Sequence, residues 1–237
     1  MRLLSLPGVF QPHSDSWMLA QTLREHAPPP GGTALDLCTG SGVLAVQAAL
    51  LGARVTAVDV MRRALVCARV NALLNGVRVR TRRGSLFSGL DGEQFDTIVS
   101  NPPYVPNPGD HALPGRGARR AWDAGADGRA LLDPLCEQVA GHLRPGGSVL
   151  IVHSSVCNID RTLRQLTDEG LEAEVVVSCR GPLGPLLRER VEELWASGAL
   201  PDGCFEEDVV IVRGRRPAQL ARGSDGRSTA PAATSTI

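Results

Sequence analysis

Ala34-Leu35-Asp36-Leu37-Cys38-Thr39-Gly40-Ser41-Gly42-Val43-Leu44-Ala45 is the stretch whose reading decides the fold. Ala34 to Cys38 suits a short buried strand. It runs into a loop with two glycines, and then into Val43 to Leu51, an Ala-, Leu- and Val-rich segment that Gly52 closes as a helix. Gly40 to Ala45 fits G-x-G-x-x-A, and a second strand, Arg54 to Val60, carries Asp59 19 residues after Gly40. That spacing puts a carboxylate beside the crevice at the strand ends, where it can accept from two ribose hydroxyls. The pattern predicts an adenosine-containing cofactor.

Two kinds of cofactor use this geometry. A dinucleotide places its pyrophosphate at the helix amino terminus. Here Asp36 lies four residues before Gly40, and a carboxylate near that opening repels phosphate while attracting an ammonium and a sulfonium. The physical argument therefore favours S-adenosylmethionine.

Working outward, strands and helices alternate. Ser14 or Asp15 is expected to cap a helix carrying Trp17, Met18 and Leu23. Met61 to Leu74 reads as an amphipathic helix stopped by Asn75-Gly76, and Val77 to Arg82 as a half-exposed strand. A strand follows at 95–100. After a long loop, 105–126, Asp127 is expected to cap a helix running from Gly128 to about Leu143. Arg144 to Gly147 reads as a turn, Ser148 to His153 as a strand, then a helix (159–169), a strand (173–179), a helix (185–197) and a last strand from Asp208 to Arg213. The alternation predicts an α/β fold: a Rossmann-like, doubly wound, seven-stranded, mostly parallel sheet. The last strand, reached by a short loop without a crossover helix, is expected to be antiparallel. The expected division is an amino-terminal segment (1–32) over the cofactor site, a catalytic domain (33–216) and a disordered tail (217–237).

Phe95-Asp96-Thr97-Ile98-Val99-Ser100 runs into Asn101-Pro102-Pro103-Tyr104, which holds the only tyrosine of the chain. Proline cannot extend a strand ladder, so the strand stops here with the Asn101 side chain and the Pro102 carbonyl at its carboxyl end. Two acceptors beside an aromatic plane suit a flat group bearing an NH2.

The formal net charge is zero, and all 25 basic residues are arginine. The bulk charge gives no reason to expect a polyanion grip, although Arg78, Arg80, Arg82 and Arg83 form a basic strip. Six cysteines without a C-x-x-C pair argue against a zinc site or a disulfide framework and suit a cytoplasmic protein. The amino terminus is too short in apolar residues for a signal peptide, and no run is long enough to span a membrane.

The loop Leu35 to Gly42, the motif Asn101-Pro102-Pro103-Tyr104-Val105-Pro106, the stretch Ala121 to Arg129 and the segment Pro12-His13-Ser14-Asp15-Ser16 together resemble the HemK/PrmC type of class I S-adenosylmethionine-dependent methyltransferases. These are the N5-glutamine methyltransferases that modify peptide-release factors. The resemblance covers about residues 8–215. It implies that Pro12, Asp15, Ser16, Asp36, Cys38, Thr39, Gly40, Ser41, Gly42, Asp59, Val60, Ser85, Leu86 and Asn101 hold the cofactor. The catalytic set it implies is Asn101, Pro102, Pro103 and Tyr104. The chain departs from the family in three places. The amino-terminal helical domain of PrmC-type enzymes is almost missing, which suits the short branch whose eukaryotic members work with a small partner subunit. Ser85 stands where an acid often contacts adenine, and His13 where an arginine is frequent.

An amide nitrogen is a poor nucleophile, so the expected role of Asn101 and the Pro102 carbonyl is to accept from its two N–H groups and aim its lone pair, with Tyr104 packed against the amide plane. No general base is needed before transfer, and His111 and His153 are read as structural or surface residues, Trp17, Trp122 and Trp195 as packing residues. A protein glutamine is the favoured acceptor. A small amine, amide or guanidine and an exocyclic NH2 of a nucleic-acid base are the alternatives.

Overall fold

A computed structural model describes residues 1–107 and 124–218. His111, Trp122, most of the long loop and nearly all of the expected tail lie outside the described residues. Among those described, seven strands form one sheet in the order β3-β2-β1-β4-β5-β7-β6. They are β1 (Thr33–Leu37), β2 (Arg54–Asp59), β3 (Val79–Arg83), β4 (Phe95–Ser100), β5 (Leu143–Ser154), β6 (Glu172–Pro182) and β7 (Glu206–Arg215). The helices are α1 (Ser14–Glu25), α2 (Val43–Leu50), α3 (Arg62–Leu74), α4 (Leu132–His142), α5 (Ile159–Asp168), α6 (Pro185–Glu189) and α7 (Val191–Ala196). β7 enters between β5 and β6, antiparallel to both, as its short approach loop predicts.

Side chains alternate across the sheet with a period of two, so each central strand feeds two cores. Leu35, Leu37, Ile98, Val149 and Ile151 pack under Leu132, Leu135 and Val139 of α4 and Leu166 of α5. Ala34, Val99, Leu150 and Val152 pack under Leu19 and Leu23 of α1 and Leu44 and Ala48 of α2. Gly42, the N-cap of α2, sits at φ 84°. A Cβ there would lie 2.6 Å from that of Ala68, so α2 and α3 approach as closely as they do only because this residue has no side chain.

The register of the central strands sets up the site. Leu37 of β1 pairs with Val58 of β2 on one side and with Ser100 of β4 on the other. Ser100 Oγ also donates to the Leu37 carbonyl at 3.0 Å. The glycine loop after β1, Asp59 at the end of β2 and Asn101 after β4 therefore emerge together, where the chain order reverses across the sheet.

Several local expectations are corrected. α1 is N-capped by His13, and neither Ser14 nor Asp15 caps it by its side chain, because the Asp15 carboxylate is engaged elsewhere. Asp127 does not cap α4. Its Oδ1 accepts from the Arg129 N–H at 3.1 Å in a preceding turn, and α4 begins at Leu132. Arg144 to Gly147 lies within β5: Gly146 N–H donates to Arg216 O, and Arg216 N–H to Gly147 O, so the ladder continues through the predicted turn. The helix expected at 185–197 breaks at Arg190 into α6 and α7. Trp17, read as a packing residue, is 45% exposed.

Arg129, which ends the motif stretch Ala121 to Arg129, has a structural role that the sequence did not reveal. It is 2% exposed, and its guanidinium donates to Asp133 Oδ1 at 2.7 Å, Thr162 Oγ1 at 3.0 Å, Gln165 Oε1 at 2.7 Å and the Cys157 carbonyl. It thereby ties α4 to α5 behind the Asn101 segment.

Candidate active site

A crevice opens at the carboxyl ends of β1 to β4. Of the predicted cofactor residues, Cys38, Gly40, Asp59, Val60, Ser85, Leu86 and Asn101 line it, together with Pro103 of the predicted catalytic set. Phe10, Met61, Ala64 and Leu131, which the sequence did not mark, complete an apolar wall. For Phe10, Met61 and Ala64 the usable signal was position, since each lies within four residues of Pro12 or Val60, whereas Leu131 arrives from beyond the long loop.

Asp59 is anchored at both oxygens. Gly40 N–H donates to Oδ2 at 3.0 Å and Met61 N–H to Oδ1 at 2.8 Å. Each carboxylate oxygen can accept a second hydrogen bond. Burial raises the Asp59 pKa above the ordinary carboxylate range, and the bonds from Met61 and Gly40 act against that rise. Gly40 has φ 52°, and a Cβ there would come within 3.3 Å of the Phe10 Cβ. The amino-terminal segment thus lies directly over the glycine loop.

Asp36 is placed differently from the expectation. Strand alternation sends it to the same side as Ala34, toward α2. Its Oδ2 accepts from Thr39 Oγ1 at 2.5 Å and from Ala45 N–H at 2.9 Å. It stabilises the loop and the first turn of α2 from behind, does not line the crevice, and leaves Oδ1 without a partner among the described residues. Burial pushes its pKa up to about 7. Thr39, Ser41 and Gly42 are buried with it in the body of the loop, and Pro12 is half-buried.

His153 is buried on β5, away from the crevice, with Nδ1 3.0 Å from the Ser154 carbonyl. Burial lowers its pKa to about 4. The two groups give opposite pH slopes. Asp36 binds a proton more readily folded than unfolded, so its contribution to stability falls as pH rises from the ordinary carboxylate range to about 7. His153 binds one less readily folded, so its contribution falls as pH drops from about 6.5 to about 4. Asp36→Asn should therefore unfold more steeply on acidification than the parent. Urea midpoints between pH 4 and pH 7.5 check this, and superimposable pH profiles would refute it.

Asp15 gives the site its polarity. Its Oδ1 accepts from the Ser16 N–H at 2.6 Å. Its Oδ2 accepts from Asn101 Nδ2 at 3.0 Å and from the Tyr104 hydroxyl at 2.9 Å. Asn101 Nδ2 also lies 2.9 Å from Ser16 Oγ. A carboxylate accepts and does not donate, so the group that Asn101 turns toward Asp15 is its NH2. Both amide hydrogens are thereby committed, and Oδ1 is left as the acceptor. Tyr104 is held at its hydroxyl by Asp15 and at its carbonyl by Cys157 Sγ, 2.9 Å away. Burial, reinforced by Asp15, raises its pKa well above the usual phenol value. Asp15 and Ser16, predicted as cofactor residues, here orient the predicted catalytic residues.

The methyltransferase small domain family matches residues 1–112. A Methanocaldococcus jannaschii protein, provisionally named a protein N5-glutamine methyltransferase, is 30% identical over 182 residues, covering 76% of this chain and 90% of its own length. The chain belongs to the protein N5-glutamine methyltransferase family. The release factor glutamine methyltransferase of Deinococcus radiodurans is 37% identical to this methyltransferase over 74% of the chain, which spans 64% of that relative. Among solved structures, the E. cuniculi Mtq2-Trm112 complex, described as responsible for methylation of the eRF1 termination factor, matches with a TM-score of 0.62 and 20% identity. That match covers 88% of this chain and 99% of the other. It shows the shared class I methyltransferase fold. Among the described residues no helix is long and apolar enough to cross a membrane.

Proposed function

We propose that the crevice binds S-adenosylmethionine and that the methyltransferase modifies the side-chain amide nitrogen of a glutamine in a protein, a peptide-chain release factor being the substrate that its relatives' names indicate. The orientation of Asn101 carries this reading: its NH2 is tied to Asp15 and Ser16, which leaves a carbonyl oxygen at the crevice to accept an N–H.

The residues present fit the cofactor. Asp59 has acceptor capacity for the ribose hydroxyls, Phe10, Met61, Leu86 and Leu131 offer apolar walls for adenine, and Ser85 lines the crevice where an acid is frequent in the family. When bound, the cofactor supplies an electrophilic methyl group on a sulfonium. The chain's own residues position the acceptor. Asn101 Oδ1 and the Pro102 carbonyl accept from the two N–H groups of the glutamine amide, holding the nitrogen lone pair toward the cofactor side. No side chain needs to take a proton first, because the N-methylated cation loses one readily.

Asp59→Ala should weaken binding of S-adenosylhomocysteine about ten- to a hundredfold, the loss expected for hydrogen bonds to a charged acceptor. Isothermal titration measures this, and unchanged affinity would remove Asp59 from the site. Residues 1–32 serve as the roof of the cofactor site and 33–216 as the catalytic domain. The proposed compartment is the cytoplasm, and the proposed partner is a small activating subunit of the kind that the two-protein E. cuniculi complex contains. Transfer of tritiated methyl from S-adenosylmethionine to a release factor, with the label recovered on glutamine N5, is the expected result. Label found only in nucleic acid or in free amino acids would overturn the reading.

A further inference from the structure

An extended segment at the amino terminus lies along α3 without a strand partner. Two asparagines one helical turn apart supply its ladder. Asn71 Oδ1 accepts from the Leu4 N–H at 2.6 Å, and Asn71 Nδ2 donates to the Leu4 carbonyl at 3.1 Å. Asn75 repeats the pairing with Arg2, accepting from its N–H at 2.8 Å and donating to its carbonyl at 2.6 Å. The spacings agree: four residues of helix rise about 6 Å, and two residues of strand about 6.7 Å.

Asn71 does more than hold the segment. It is fully buried, and Nδ2 also donates at 2.8 Å to the carbonyl of Ser41, inside the glycine loop. One amide therefore joins the loop beneath the crevice to the segment above it. Beyond Leu4 the segment turns, with Val9 N–H donating to Leu6 O, packs Val9 against Ala64 and Cys67 of α3, and brings Phe10 over Gly40.

We infer that Asn71 is a positioning residue for cofactor binding, fixing the Ser41 backbone and the Leu4–Phe10 roof relative to each other so that the crevice is formed before the cofactor arrives. This rests on the reading of the crevice as the cofactor site. The side-chain hydrogen bonds of Asn71 run to Leu4, Ser41 and Cys67 and none to Asn101, so its effect falls on cofactor affinity and not on turnover. Asn71→Asp keeps the acceptor for the Leu4 N–H but loses both donors and sets a carboxylate against two carbonyls. Leu4→Pro is the milder variant. It sits on a partly exposed residue, removes one N–H and leaves the Asn71–Ser41 bond in place.

The test has two readouts. Hydrogen exchange of the cofactor-free protein should show the Val9 amide protected in the parent and unprotected in both variants, and the Leu4 amide losing protection in Asn71→Asp. Titration with S-adenosylhomocysteine should show affinity lowered about tenfold or more in Asn71→Asp and about threefold or more in Leu4→Pro. Turnover at saturating cofactor should stay within about threefold of the parent, a difference under 1 kcal/mol. Unchanged protection, unchanged affinity, or reduced turnover at intact affinity would overturn the inference. A parent that fails to bind S-adenosylhomocysteine would overturn the cofactor reading beneath it as well.

Discussion

Asn101→Ala is expected to abolish measurable methyl transfer, lowering turnover on the order of 10²–10³-fold or more, while S-adenosylhomocysteine binds within about threefold of the parent. The asymmetry follows from the hydrogen-bond pattern. The Asn101 amide hydrogens are spent on Asp15 and Ser16, so what alanine removes from the crevice is an acceptor aimed at the methyl acceptor, while the Asp59 anchors to Gly40 and Met61 stay in place. Asn101→Asp is a sharper test. Its carboxylate would face that of Asp15 with only the Ser16 hydroxyl, which already donates to Asp15 at 3.2 Å, within reach of both, so turnover should fall at least as far as in the alanine variant. Substantial turnover in either variant would show that the carboxamide does not hold the acceptor.

Asp15→Ala should have the next largest effect, about a hundredfold in turnover with little change in cofactor affinity. Asp15 makes its hydrogen bonds to Ser16, Asn101 and Tyr104. It acts through the Asn101 amide and the Tyr104 hydroxyl, both of which donate to its Oδ2. Without it Asn101 can rotate and present its NH2 to the crevice, and a donor facing the donors of an incoming amide is repulsive. Asp15→Asn can keep one acceptor in the Oδ2 position and should lose less, about tenfold, while Tyr104→Phe should lose least because Asn101 remains held. The order Asp15→Ala, Asp15→Asn, Tyr104→Phe in kcat is the signature of positioning. If Asp15→Ala instead raised the cofactor Kd at unchanged kcat, the residue would belong to the cofactor set that the family resemblance assigns it to.

Both predictions rest on residues 85 to 89 positions apart in the chain, and that distance marks what the sequence could not tell. The strand–loop–helix at Ala34 to Ala45, the acid ending β2 and the strand stopped by Asn101-Pro102-Pro103 were legible because each depends on local chemistry: glycine at positive φ, a missing proline N–H, a fixed spacing. Where Asp36 points was also legible in principle, since alternation sends it with Ala34 toward α2, but proximity to Gly40 suggested the crevice instead. The caps at Ser14, Asp15 and Asp127 were misread because a short polar side chain near a helix start has rival partners, and only the packed chain decides among them.

By itself, then, the sequence determined the order of elements, the winding of the sheet and the place where the site opens, because backbone sterics and hydrophobic periodicity act over a few residues. The tertiary structure alone decided which way the Asn101 amide faces, that Asp15 serves Tyr104 as well, and that Asn71 joins Leu4 to Ser41. A hydrogen-bonding side chain takes its direction from whatever partner folding brings within about 3 Å, and no spacing along the chain encodes that partner.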